Sequence, residues 1–297
     1  MELSCFSYTE RDLSRMPKRP AESHKGTFGK VLCVCGSDGM CGAAYFASKA
    51  CYRMGAGLVR ILTTTKNQPI LQALIPEAIV TAYDLTRPYI AQEAIAWADV
   101  LVVGCGMGIS AESRGLLSDL LRARGEKPTV LDADALNLLS RNPSLMKHTK
   151  GAIVTPHVGE MSRLTSLSCE EISQNAVKIA HDFASKHELI CVLKSHRTVV
   201  SDTSELVYRN TSGNSGMATG GSGDVLAGII GGILAQSRNS NLTAMDAACL
   251  GVYLHGLCGD AAAEKLTEYS VMASDLLDAI PTIFRRYFPL DTQMLRY

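Results

Sequence analysis

Asp224 stands just after the last tight glycine cluster of the stretch "GNSGMATGGSGDVLAG" (Gly213–Gly228), in which six of sixteen residues are glycine. A helix N-terminus exposes unpaired N–H groups and about half a positive charge, so it is a ready site for phosphate oxygens. Glycines ahead of it let the backbone come close to those oxygens. The run after Asp224, "VLAGIIGGILAQ", is apolar on nearly every face and reads as a buried helix. A carboxylate in the first turn of that helix can accept the proton of a hydroxyl that attacks a transferring phosphoryl group. The plain alternative is that Ser222 or Asp224 only caps the helix and the glycines serve tight packing.

Two further segments carry polar groups just after apolar runs. "VLDADALNLLS" places Asp132 and Asp134 between a strand and a helix, and "IVTPHVGEMSRL" places Pro156, His157, Gly159 and Glu160 after another strand. In doubly wound folds ligands sit at the carboxyl ends of strands, where all these groups fall. Each has an ordinary reading as well: Asp132 and Asp134 as caps of the helix at Ala135, His157 as a surface histidine, Glu160 as a helix-face partner of Arg163. "GCGMG" (Gly104–Gly108) departs from the spacing of a dinucleotide fingerprint.

The elements that must position these groups alternate. Short runs rich in Val, Ile and Leu are separated by segments of helical period, which predicts an α/β fold with a mostly parallel central sheet covered by helices on both faces. Strands are expected at Lys30–Ser37, Leu58–Thr64, Ala78–Ala82, Ala98–Gly106, Lys127–Asp134, Gly151–Pro156 and Leu189–Lys194. A hairpin is expected to turn at Asp202–Ser204, and long helices at Val225–Gln236 and Leu242–Cys258. No repeat, linker or charge block marks a boundary, so residues 1–297 read as one domain with an N-terminal extension over 1–24.

Composition narrows the partners. Lys+Arg and Asp+Glu are both 29, giving zero formal net charge, so no global field draws the chain to nucleic acid or to an anionic membrane. The 10 cysteines are scattered through apolar runs without CxxC or metal-ligand spacing and read as reduced core residues. With no signal-peptide pattern and no apolar run near ~18 residues, a cytoplasmic location is expected. Small, apolar residues over Ala43–Ala56 suggest close packing against another surface, and a homo-oligomer such as a tetramer is expected.

Taken in order, "KGTFGKVLCVCGSDGMCGAAYFASKACYRMGAGLV", "GCGMG", "VLDADALN", "TPHVGEM", "LKSHRTVV" and the glycine stretch resemble the ADP/ATP-dependent NAD(P)H-hydrate dehydratases, over roughly Lys25 to Asp278. The resemblance implies a ribokinase-like fold and a metabolite-repair reaction: a nucleotide phosphorylates the ring hydroxyl of hydrated NADH or NADPH (the S epimer), phosphate leaves, and the reduced dinucleotide is regenerated. It ranks ADP, giving AMP, ahead of ATP as donor, and implies Mg²⁺.

By the same match, Asp224 corresponds to the base, and Gly221 and Gly223 to amides facing the transferring phosphoryl group. Lys194, Ser195, His196, Arg197 and Thr198 correspond to nucleotide contacts. Ala43, Gly106, His157 and Asp224 correspond to contacts with the hydrated dinucleotide, and Glu160 to a residue that orders Mg²⁺ through water. Three places depart from the family's pattern: Val158 stands where proline is usual, Cys105 and Met107 where proline and leucine are usual, and Ser195 where glycine is usual. A separate NAD(P)H-hydrate epimerase is the expected functional partner. The rival readings are a kinase of the same fold, such as hydroxyethylthiazole kinase, and a nucleotide-binding regulator without catalysis.

Overall fold

The computed structural model describes residues 3–83, 86–238 and 240–288. A short strand, β1 (Ser4–Phe6), precedes β2 (Lys30–Val34), α1 (Cys41–Arg53), β3 (Leu58–Thr63), α2 (Asn67–Leu74) and β4 (Ile79–Ala82). The chain continues through α3 (Tyr89–Trp97), β5 (Val100–Val103), α4 (Ala111–Ala123), β6 (Thr129–Leu131), α5 (Asp134–Arg141) and β7 (Ile153–Val154). Then follow α6 (Val158–Thr165), α7 (Cys169–Gln174), α8 (Ala176–His187), β8 (Ile190–Leu193), β9 (Val199–Ser201) and β10 (Leu206–Arg209). Three helices, α9 (Ser222–Ser237), α10 (Ala244–Leu266) and α11 (Ala273–Tyr287), end the described chain.

The strands form one sheet in the order β1-β10-β9-β8-β7-β6-β5-β2-β3-β4. Neighbours are parallel except at β9, which opposes both β8 and β10. From β2 the chain builds outward to β4 and then returns to lay β5 on the other side of β2. That reversal opens a crevice beyond the carboxyl ends of β2 and β5, the usual place for a ligand in such sheets.

Side chains alternate along the strands, so each face carries its own core. Val31 and Cys33 pack in a core shared with α1, α9, α10 and α11, and Leu32 and Val34 in one shared with α3, α4, α5 and α8. Helix α9 is apolar all round because it is enclosed on all sides. A Cβ on Gly228 would lie 2.1 Å from the Ala47 carbonyl oxygen, and one on Gly232 would lie 2.6 Å from Met54 Cβ. The small residues of α1 therefore meet the backbone of α9.

Two expectations about boundaries change. The 1–24 extension is partly built into the sheet, because β1 pairs in parallel with β10 and Tyr8 packs edge-on against Tyr208 at 5.1 Å. A three-residue strand is too short to show an alternating pattern. The last helices start or end beyond the expected limits: α9 opens at Ser222, behind an N-cap glycine, and α10 runs on through "AAAEKL" until Thr267 turns to φ 65°. No helix among the described residues is long and apolar enough to cross a membrane.

The α1–α9 contact leaves no room for side chains. Gly232→Leu is expected to lower unfolding free energy by about 3 kcal/mol through overpacking, read from the urea midpoint. Gly115→Ala, in α4 where an added Cβ meets nothing within 4 Å, is the control and should be neutral or slightly stabilising.

Candidate active site

The hydrogen-bond ladder runs past the strand ends on one edge of the sheet. Gly104 N–H donates to Val34 O (3.1 Å), Asp132 N–H to Val103 O (3.0 Å), Thr155 N–H to Leu131 O (3.1 Å) and Lys194 N–H to Pro156 O (2.8 Å). Residues distant in sequence are thereby set side by side. Asp132, only 1% exposed, has Oδ1 2.7 Å from Lys194 Nζ and accepts a 2.6 Å bond from the Thr155 hydroxyl. The Lys194 ammonium also lies 3.9 Å from Glu160 Oε2. Burial pushes Lys194 down, but the charges of Asp132 and Glu160 outweigh it and hold the ammonium above its ordinary range.

A strained backbone aims the two aspartates apart. Ala133, between them, sits at φ 48°, ψ −115°, a conformation kept only where surroundings over-determine it. Asp132 points to Lys194, while Asp134 Oδ2 accepts the Gly108 amide at 2.9 Å. Gly104 makes the turn possible, since a Cβ there would lie 1.9 Å from the Asp132 carbonyl oxygen. At the start of α5 the Asp132 carbonyl accepts the Ala135 amide at 3.1 Å, and Asp134 Oδ1 accepts from the Asn137 side chain at 3.2 Å.

Asp224 lies in the first turn of α9, whose N-cap is Gly221 at φ 90° with no side-chain cap hydrogen bond. A glycine N-cap has no side chain to offer, and the Ser222 hydroxyl lies 3.3 Å from His255 Nε2. Side-chain ligand atoms of Asp224, Asp132 and Cys105 all lie within 4.8 Å of one another. Burial first, then the charge of Asp132, pushes the Asp224 carboxyl up to about 6, against smaller opposing effects of the Cys105 thiol and Lys194. A Cβ on Gly223 would stand 3.3 Å from Lys194 Nζ, so the ammonium faces the uncapped helix end.

Comparison with known proteins adds to this geometry. The family model for NAD(P)H-hydrate dehydratase matches residues 31–282. The chain belongs to the NAD(P)H-hydrate dehydratase family. It is 35% identical over 283 residues to an ADP-dependent (S)-NAD(P)H-hydrate dehydratase of Enterococcus faecalis, covering 94% of this chain and 93% of that one. It is 40% identical over 264 residues to the bifunctional NAD(P)H-hydrate repair enzyme of Coxiella burnetii, covering 88% of this chain and 51% of the relative, so the chain spans about half the length of the bifunctional relatives it matches. Among solved structures, a Bacillus subtilis ADP/ATP-dependent NAD(P)H-hydrate dehydratase co-crystallised with ATP/Mg²⁺ superposes with TM-score 0.81 at 29% identity, covering 94% of this chain and 97% of that one. The fold is the ribokinase-like one, and the family match decides against the hydroxyethylthiazole kinase reading.

The other residues that the dehydratase resemblance singles out fall on the same edge. Ala43 and Gly106 are adjacent: a Cβ on Gly106 would lie 2.9 Å from Ala43 Cβ. His157 caps α6, its Nδ1 accepting from the Gly159 and Glu160 amides, while Glu160 Oε2 accepts from the His157 amide at 2.9 Å. Burial, joined by the charges of Lys194 and Arg163, lowers His157. Ser195, His196, Arg197 and Thr198 form the turn between β8 and β9, held by its own bonds such as Thr198 Oγ1 to Ser195 O at 3.2 Å. Within that segment, Lys194 is the residue seen paired with the carboxylate cluster.

One pairing departs from expectation. Glu160 does not join Arg163, which instead donates to Asn137 Oδ1 at 3.0 Å. In the first turn of a helix a glutamate reaches back to the N-cap amide, and here that direction is into the site. Glu160 is 5% exposed, and burial pushes its carboxyl up to about 7 despite Lys194. The Asp132–Lys194 pair and the contribution of Thr155 escaped sequence reasoning, because the partners are 62 and 23 residues apart and only the strand order joins them.

Removing the cation should strand a buried carboxylate. Lys194→Met is expected to destabilise the fold by about 3 kcal/mol at pH 7, and adding Asp132→Asn should recover more than half of the loss, both read by chemical denaturation.

Proposed function

We propose that this chain dehydrates hydrated NADH and NADPH by nucleotide-dependent phosphorylation, with Asp224 as the base. The observation that carries the reading is an acid with raised proton affinity, placed at an uncapped helix N-terminus beside a buried ammonium. Asp224 takes the proton of the ring hydroxyl as its oxygen attacks the terminal phosphoryl group of the donor. The amides of Gly221 and Gly223 face the phosphoryl oxygens, and Lys194 offsets their charge. The phosphorylated oxygen then leaves as phosphate, because the ring nitrogen pushes electrons toward the breaking carbon–oxygen bond. The neighbouring ring carbon releases a proton, and the ring double bond returns. ADP is the donor we favour, giving AMP, with ATP the alternative.

The dinucleotide would lie in the β2–β5 crevice against Ala43 and Gly106, with His157 at its other side, and the turn Ser195–Thr198 would hold the nucleotide. The oxygen donors Glu160 and Asp132 suit a hard cation. Mg²⁺, when bound with the nucleotide, would supply positive charge on the phosphate oxygens, and Glu160 is the residue we assign to ordering its waters. A separate epimerase would supply the S epimer, and the chain would work in the cytoplasm as a homo-oligomer.

The direct test incubates the protein with hydrated NADH and either ADP or ATP, following reduced-nicotinamide absorbance and free phosphate together. Equal rise of both is expected. Phosphate retained on the acceptor with no return of absorbance would make the chain a kinase.

Asp224→Asn should bind the hydrate yet lose ~10²–10⁴-fold in turnover. Its stability carries a sign as well. A carboxyl with a raised folded-state pKa destabilises the fold once ionised, so the variant should match wild type at acid pH. It should gain in thermal midpoint as pH rises from about 4 and keep the full gain above about 6. A variant that turns over at the wild-type rate would remove Asp224 from the chemistry.

Glu160→Gln is expected to raise the Mg²⁺ concentration for half-maximal rate, with saturating Mg²⁺ restoring much of the activity. An unchanged Mg²⁺ dependence would assign that role to another acid.

A further inference from the structure

The phosphate-binding turn has a buried neighbour that the proposed chemistry does not use. Helix α10 lies against α9 so closely that a Cβ on Gly251 would stand 2.6 Å from Ile230 Cγ1. One helical turn further along, His255 reaches the first turn of α9, with Nε2 3.3 Å from Ser222 Oγ. Both side chains are enclosed, at 9% and 8% exposure. A side-chain oxygen at a helix start can accept from the first-turn amides. The N-cap of α9 is Gly221, which has no side chain to do so, and the hydroxyl of the next residue, Ser222, is engaged by the imidazole.

We propose that His255 is a positioning residue for the nucleotide-dependent step: it holds the Ser222 hydroxyl away from the first-turn amides of α9 and keeps them open to the donor's phosphate oxygens. Burial pushes His255 down to about 4, against an interaction with the Ser222 backbone that favours the charged form and with a smaller push in the same direction from Lys194's charge. The imidazole is thus neutral at physiological pH and adds no charge to the site. It holds the hydroxyl through the Nε2–Oγ hydrogen bond, which either tautomer can make. Without that bond the hydroxyl is free to rotate onto the amides and compete with the phosphate.

The proposal rests on the reading of this turn as the phosphate site, and its test is built on nucleotide affinity so that it stands apart from the role of Asp224 as base. Dissociation constants for ADP and ATP would be measured by calorimetry for wild type, His255→Phe, Ser222→Ala and the double variant, with thermal midpoints alongside. His255→Phe should weaken nucleotide binding roughly fivefold to tenfold, the scale of one competing hydrogen bond, while the KM for the hydrate stays within about twofold. Removing the competing hydroxyl should rescue it: the double variant should return to within about twofold of Ser222→Ala alone. If phenylalanine cannot be packed, His255→Leu carries the same expectations, and His255→Gln, whose amide can still engage Ser222, should lose less. A double variant as weak as His255→Phe, or a loss that merely follows the thermal midpoint, would overturn the proposal. Wild-type protein that binds neither nucleotide would instead overturn the phosphate-site reading beneath it.

Discussion

One ammonium group among three carboxylates governs the active edge of this protein. Lys194 touches Asp132 at 2.7 Å and approaches Glu160 at 3.9 Å, and Asp132 in turn lies beside Asp224. Taking these groups out of water is costly, and their mutual attraction offsets that cost only while every member stays in place. Burial and the negative charge of Asp132 push the Asp224 carboxyl up to about 6, and Lys194, already paired with Asp132, offsets only part of that. An acid held in that range can take a proton and give it back near neutral pH.

The sheet exists in the form that makes this cluster possible. Extending the ladder beyond β5, β6, β7 and β8 fixes Gly104, Asp132, Thr155 and Lys194 in one row, while the strained Ala133 sends Asp132 inward and Asp134 to the Gly108 amide. From the opposite face, α9 brings Asp224 to the same row. Its position depends on the glycines that let α1 and α10 close on it. Packing and chemistry are therefore one constraint: a side chain added at Gly228 or Gly232 would move the helix whose first turn carries the base.

Much of this was legible in the sequence, for identifiable reasons. The alternation of apolar runs predicted the parallel sheet, and the glycine stretch ahead of an apolar run predicted a buried helix that opens beside Asp224. Where sequence reasoning stopped, the missing information was strand order. Asp132 could be read as a cap because nothing local shows Lys194 beside it, and Glu160 could be paired with Arg163 because helical spacing allows it. His255 lies in an apolar helix where a polar residue gives no periodic signal, so its contact with Ser222 appears only once α10 is laid on α9. Strand β1 is too short to carry any pattern.

Burial, with the charge of Asp132 beside it, sets the proton affinity of Asp224. The most direct measurement is a titration of the Asp224 side-chain carboxyl by carbon NMR in the ligand-free protein, assigned by its disappearance in Asp224→Asn. A midpoint near the value of about 6 is expected. A midpoint near 4, the ordinary value for an aspartate in water, would mean that Asp224 is a solvated surface acid and would contradict the account.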